Sequence, residues 1–378
     1  MKKRITFIGL FFLVILCLIN CKQQGEFPVL SGEYLGQEPP GMEGELFAPG
    51  VMSTGLSELN AVFFPGGKEV IYSVGVGYMK WALIMIREEN GIWTKPEVAP
   101  FSGEYGGVDP FVSFDGNTVY YCSNRPRSGQ GEPEDDYWTK PEVAPFSGEY
   151  GGVDPFVSFD GNTVYYCSNR PRSGQGEPED DYDIWYVKRT DAGWSEPVNM
   201  GPPINSDTHE FYPSLTRDGT MYFQSRREGG IGFSDIYRAR LVDGKYVGAE
   251  ILPEPVNSPD FEGDTFIAPD ESYIIVSTFR KEDNIGQADL YISFRKEDGS
   301  WLPLKNMGER INSEGGENCQ ILSPCGKYLF YTSRRDTNLS GVSPLTYEAI
   351  KKAWTEPQNG NGDIYWVDAK IIEELRPK

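Results

Sequence analysis

Residues Trp93 to Tyr137 read WTKPEVAPFSGEYGGVDPFVSFDGNTVYYCSNRPRSGQGEPEDDY, and Trp138 to Tyr182 read the same, letter for letter. A tandem repeat dictates an architecture built from copies of one small unit. Diverged repeats keep a pattern and lose identity, so this perfect copy is either a very recent duplication or an error in the assembled sequence. A fainter repeat on both sides of it defines the unit.

The fainter repeat runs through ELNAVFFPGGKEVIYSV from Glu58, VDPFVSFDGNTVYYCSNR from Val108 and again from Val153, EFYPSLTRDGTMYFQSRR from Glu210, EGDTFIAPDESYIIVSTFR from Glu262 and ENCQILSPCGKYLFYTSRR from Glu317. Each segment is a short apolar strand, a tight turn at Asp-Gly or its equivalent, and a second strand rich in Tyr, Phe, Val and Ile. That is a hairpin signature. A third strand follows in most units: KWALIMI from Lys80, DIWYVKR from Asp183, DIYRARL from Asp235, DLYISFR from Asp289 and DIYWVDA from Asp363. A fourth segment such as WSEPVNMGPPINS closes the unit, and its prolines suit an outer edge strand. Four strands per unit, repeated along the chain, predict an all-β fold, a β-propeller of four-stranded blades.

The SxDG turn, the SxR that follows, then D-I-Y, a Trp and a PVN-like segment resemble the WD-repeat-like propeller units of TolB-type periplasmic proteins. The resemblance extends from about Glu43 to Leu375 and implies a fold more than a function. Six turns predict a six-bladed ring, five full units plus one incomplete unit. After Tyr137 the chain returns to WTKPEV where a third strand is due, so the alternatives are a defective blade or a five-bladed ring with the extra segment looped out. The last unit lacks a fourth segment, and ELFAPGVMSTGLSE near the N-terminus resembles VNMGPPINSDTHE. An N-terminal strand is therefore expected to complete the C-terminal blade and close the ring. An insertion at about 336–362 carries the one expected helix, LTYEAIKKAW, with Ser343 as cap and Pro344 in its first turn.

Residues 1–20, MKKRITFIGLFFLVILCLIN, read as a secretory signal, with basic residues ahead of one short apolar run. Leu18, Ile19, Asn20 and Cys21 resemble the lipobox of bacterial lipoproteins, which implies lipidation at Cys21, with residues 21–42 as tether and lead-in to a single propeller over 43–378. Lys22 lacks the following Asp of inner-membrane lipoproteins, so by resemblance the outer membrane is expected. Loss of Lys2, Lys3 and Arg4 with the signal takes the formal charge from −21 to −24. Such a charge excludes nucleic acid and anionic lipid surfaces as partners. Cys122, Cys167, Cys319 and Cys325 are expected as buried thiols, the last two lying too far apart along an extended strand to bridge.

Aligning the units exposes three polar columns: Glu58, Glu210, Glu262 and Glu317 ahead of the inner strands, with Gly107 and Gly152 interrupting; Arg125, Arg170, Arg227, Arg280 and Arg335 after the second strands; and Asp183, Asp235, Asp289 and Asp363 opening the third. Repetition in every blade assigns the Arg and Asp columns to structural pairing across a loop. The Glu column either pairs with Arg or opens into the channel mouth, where converging carboxylates would attract a cation such as calcium or a basic peptide. His209, the only histidine, sits beside Glu210. One His builds neither a multi-His metal site nor more than one triad, and no GxSxG, HExxH, P-loop or dinucleotide motif accompanies it. The expectation is a non-enzymatic, lipid-anchored propeller binding a protein or glycan, without cofactor, dinucleotide or nucleic acid. The alternatives are a glycan hydrolase or lyase using channel carboxylates, and a purely structural part of an envelope assembly.

Overall fold

The computed structural model describes residues 27–76, 80–102, 106–123 and 150–378, apart from positions 175, 192, 255, 281, 339 and 345. The signal, Cys21 and Arg125 lie outside the described residues. A short N-terminal strand, β1 (Glu45–Leu46), precedes the first blade, formed by β2 (Ser57–Phe63), β3 (Glu69–Val76), β4 (Lys80–Glu89) and β5 (Ile92–Trp93), with β6 (Glu97–Val98) also on β4. A two-stranded hairpin, β7 (Val108–Val112) and β8 (Val119–Cys122), comes next. The second blade holds β9 (Gly152–Val157), β10 (Thr163–Ser168), β11 (Asp183–Thr190), β12 (Gly193–Trp194) and β13 (Val198–Asn199). The third holds β14 (Glu210–Leu215), β15 (Met221–Ser225), β16 (Asp235–Val242) and β17 (Lys245–Ile251), and the fourth β18 (Phe261–Ile267), β19 (Tyr273–Phe279), β20 (Asp289–Phe294) and β21 (Lys305–Asn306). In the fifth, β22 (Glu317–Leu322), β23 (Tyr328–Ser333) and β24 (Asp363–Asp368) are joined on the outside by β1.

The described residues thus form five complete blades, and the six-bladed expectation is corrected. The sixth unit is the hairpin β7–β8, a two-stranded sheet among the described residues. Every strand pairing is antiparallel, as Asp-Gly turns require. In the turn after β7, Asp115 Oδ1 accepts from Ser113 Oγ at 2.6 Å and from Asn117 N at 3.0 Å, and Gly116 supplies the positive φ of 74°.

Glu45 and Leu46 of β1 register with Trp366 and Tyr365 of β24. Phe47 and Met52 are fully buried nearby, and Phe47 packs edge-on to Trp366 at 4.9 Å and to Phe330 at 5.2 Å. Tyr34, from the lead-in, joins the same aromatic core against Phe63 and Tyr328. A repeated two-residue clasp ties successive blades. Asn205 accepts from Ile184 N and donates to Ile184 O in the second blade, while the next residue, Ser206, donates to Glu210 in the third. Asn257-Ser258 and Asn312-Ser313 repeat the arrangement. Ser53-Thr54 stands in the corresponding place: Ser53 Oγ bonds both backbone groups of Ile364 in the fifth blade, and Thr54 Oγ1 donates to Glu58 in the first.

The inserted helix is α1 (Tyr347–Thr355), and its cap is Thr346, whose hydroxyl accepts from Ala349 N at 3.1 Å, not Ser343. A second helix, α2 (Lys370–Leu375), went unforeseen; it buries Ile371, Ile372 and Leu375 against the fifth blade. Trp185, Trp301 and Trp366 are core residues, but Trp354 of α1 is exposed.

Candidate functional site

Four Ser or Thr residues stand four positions ahead of the Glu column, and this spacing folds each loop back on its own carboxylate. Glu210 accepts from Ser206 N at 3.0 Å and Ser206 Oγ at 2.6 Å, then from Ser225 Oγ at 2.7 Å and Arg227 Nη2 at 3.3 Å. Glu262 repeats this with Ser258, Thr278 and Arg280, and Glu317 with Ser313 and Ser333. Glu58 has only Thr54, through N and Oγ1. All four carboxylates are buried and hydrogen-bonded in the wall between blades. Burial pushes Glu58 up to about 8 and Glu262 to about 7, with the Ser or Thr hydroxyl opposing in each. His209 Nδ1 accepts from Tyr182 N at 3.2 Å, and its ring stacks on Phe211 at 5.4 Å.

Among the described residues, Arg227 and Arg280 of the Arg column pair with the Glu column and not with the Asp column. Arg227 and Arg280 reach the Glu column and backbone carbonyls, and Arg335 donates to Ile311 O at 2.7 Å. Arg170 lies over the rings of Tyr150 and Trp185. Asp235 and Asp289 accept backbone N–H groups from Ile231, Gly232, Ile285 and Gly286, holding the loop before the third strand; Asp363 does this with Gln358 N at 2.6 Å. Asp183 takes Arg172 at 2.8 Å, not Arg170. A guanidinium two strand-ends away reaches the inner Glu more readily than an Asp already occupied by its own loop.

A column that the alternation of strand residues concealed carries more varied chemistry. Each inner strand shifts register near its middle, and in each the residue two places after the Glu or Gly position has a positive φ: Asn60 (52°), Asp109 (53°), Asp154 (53°), Tyr212 (52°), Asp264 (37°) and Cys319 (54°). Bulges of this sort re-aim a side chain out of the regular pleat. Here they aim it toward the next inner strand. Tyr212 N donates to Asp154 Oδ2 at 3.3 Å, and Cys319 N to Asp264 Oδ2 at 3.2 Å. All six residues are half-buried.

The three carboxyls feel one another. Burial, then the charge of Asp264, pushes Asp109 up to about 6. Burial, then Asp109 and Asp264, raises Asp154 well above the carboxylate range; burial raises Asp264 while Tyr212 opposes. Asp109, Asp154, Tyr212, Asp264 and Cys319 thus line successive inner strands, with Asp154 and Asp264 each held by the backbone N–H of a neighbouring inner strand. Among the described residues no group of three or more His, Cys, Asp or Glu side chains is placed to hold a metal ion. The inner column is an acidic surface whose carboxyls burial holds toward the protonated form.

The chain is similar to several solved structures. They include TolB from Acinetobacter baumannii (13% identity, TM-score 0.37, covering 82% of this chain and 54% of that one), the gluconolactonase XC5397 from Xanthomonas campestris (15%, 0.47, 81% and 95%) and Kuenenia stuttgartiensis hydrazine synthase (16%, 0.43, 78% and 82%). This chain therefore spans about half the length of that TolB. No family model and no curated protein matches it.

One signal in the sequence could have found the inner column. The Glu positions repeat one residue type, as a brace must. Two places later the units read Asn, Asp, Asp, Tyr, Asp and Cys, all polar or polarizable and no longer uniform, which is the mark of a surface not serving the blade alone.

Proposed function

We propose that this propeller is a non-catalytic binding module of the bacterial envelope, held by lipid on Cys21 in the outer membrane, whose inner acidic surface takes a basic segment of a protein partner. Asp109, Asp154 and Asp264 supply the charge, with the N–H of Tyr212 holding Asp154 and that of Cys319 holding Asp264. The β1 strand and the Ser53-Thr54 clasp close the ring and fix the spacing of the inner strands. The observation that carries the reading is the left-handed bulge at one position of every inner strand, which turns Asp154 and Asp264 toward the neighbouring inner strand. Carboxyls raised by burial, and for Asp109 and Asp154 by neighbouring acids as well, are returned to the ionised state by a cation, so binding is coupled to proton release.

Calorimetry of the mature protein with an oligolysine peptide tests this. Affinity is expected to rise as pH goes from 5 to 7, through the value of about 6 for Asp109, and to fall at least tenfold in the Asp154→Asn/Asp264→Asn double variant. Equal binding by wild type and variant, or no binding by wild type, sinks the site. Incorporation of a palmitate analogue into wild type but not Cys21→Ser tests the anchor separately.

A further inference from the structure

The turn that ends each inner strand places one residue ahead of its Asp-Gly pair or equivalent: Pro65, Phe114, Phe159, Arg217, Pro269 and Pro324. Each turn is closed in the same way, as by Gly116 N on Ser113 O and Gly161 N on Ser158 O. The inner strands β2, β7, β9, β14, β18 and β22 touch in succession around a closed ring, so the six turns surround one mouth of it. Only the duplicated units put an aromatic residue there. Because their hairpins are identical and adjacent, like residues meet: Phe111 lies 5.2 Å from Phe156, and Phe114 stacks on Phe159 at 4.4 Å with the rings 10° from parallel. The Arg217 guanidinium lies over Phe159 at 5.7 Å. Phe114 is 45% exposed, and among the described residues no cation lies over its ring.

We propose that Phe114 is the seat of an arginine of the partner, whose guanidinium stacks on the ring at the mouth while the rest of the basic segment runs in toward the inner acidic column. The proposal rests on the basic-segment reading for that remainder, and on Phe114 for this residue. Phe114 follows Asp109 in one hairpin, so the aromatic and acidic groups stand along one path into the ring. An exposed ring suits many apolar partners, and the charge around this one selects a cation. Asp115 and Asp160, exposed at the same two turns, are held below the ordinary carboxylate range by the hydroxyls of Ser113 and Ser158 and then by the backbone N–H groups of Asn117 and Asn162, so they stay ionised. A cation set between an aromatic face and a carboxylate is the chemistry of arginine more than of lysine, because the guanidinium is planar, weakly hydrated and stacks. The fold makes the same contact internally, with Arg335 over Tyr365 and Arg376 over Phe294, each at 4.4 Å, and Arg227 over Tyr237 at 4.5 Å.

The probes are an all-lysine heptapeptide and heptapeptides of equal charge in which the first, fourth or last lysine is arginine, each titrated calorimetrically into the mature full-length protein. At least one arginine peptide is expected to bind about fivefold more tightly than the all-lysine one, and its arginine δ-protons to move upfield in the ring current of Phe114. Phe114→Leu, which keeps an apolar residue at an exposed turn, is expected to erase both the advantage and the shift and to leave all-lysine affinity within about twofold. Equal binding of lysine and arginine peptides, or an advantage that survives Phe114→Leu, overturns the proposal and leaves the basic-segment reading in place. No binding by any peptide overturns both. An advantage lost in Phe114→Leu but indifferent to Asp154→Asn/Asp264→Asn supports the arginine seat and removes the inner column from the path. Phe114-dependent binding of neutral chitotetraose without an arginine preference assigns the stacked pair to a sugar ring and overturns the proposal.

Discussion

Hairpins β7–β8 and β9–β10 are one sequence in two surroundings. Both bulge at the same aspartate, Asp109 and Asp154, with the same φ of 53°. Both turns are closed by the same bonds, Ser113 and Asn117 to Asp115, and Ser158 and Asn162 to Asp160, at identical distances of 2.6 and 3.0 Å. They part company at burial. Val164, Tyr165, Tyr166 and Cys167 are 1%, 7%, 7% and 0% exposed, whereas Val119, Tyr120, Tyr121 and Cys122 are all half-buried. Turn and bulge geometry is therefore local property, and burial is conferred by a third strand.

The fifth blade sharpens this contrast, since its outer strand comes from the far end of the chain. Deleting Glu43–Ser53 removes β1, Phe47, Met52 and the Ser53 clasp, and uncovers the outer side of β24. Losing two fully buried side chains costs on the order of 5 kcal/mol or more. A fall in melting temperature of at least about 10 °C is expected by calorimetry; an unchanged curve would show that the N-terminal strand does not fasten the blades.

The same substitution made in each copy asks the question directly. Tyr165→Ala, in the covered strand, is expected to cost about 3 kcal/mol in urea unfolding, and Tyr120→Ala less than half of that. Equal costs would mean that the third strand adds nothing to burial.

A smaller effect separates the duplicated hairpins from the other units, because Gly107 and Gly152 stand where those carry Glu. Burial raises Glu58 to about 8, Glu262 to about 7 and, in the third-strand column, Asp363 to about 7, from ordinary values near 4. The folded state then holds more protons than the unfolded one between these limits. Stability contributed by these groups is present below about pH 4.5 and is lost as pH rises toward 8. Glu58→Gln, which lacks an Arg partner to strand, is expected to flatten the decline in melting temperature between pH 5 and 8. An unaltered slope would show that Glu58 is ionised throughout.

Much of this was legible in the sequence. The turns, the second and third strands and the Asp at the third-strand start were read from alternation and Asp-Gly signals, because each depends on neighbours along the chain. The partner of each Arg was not, since Glu210 and Arg227 meet only after a hairpin brings strand ends together. The inner column was hidden for a related reason: a period of two places Asp264 on the face of Glu262, and only the bulge turns it away. Helix α2 escaped notice because Lys370–Leu375 continues an apolar strand pattern, and its burial against the fifth blade decides its form.

The duplicated segment separates the two levels most cleanly. Its sequence alone determined a hairpin with a left-handed aspartate and an Asp-Gly turn, because those conformations are set by sterics and hydrogen bonds within a few residues. The tertiary structure alone decided that one copy is buried in a complete blade and the other only half-buried, because a single β11 follows the two copies and it pairs with β10.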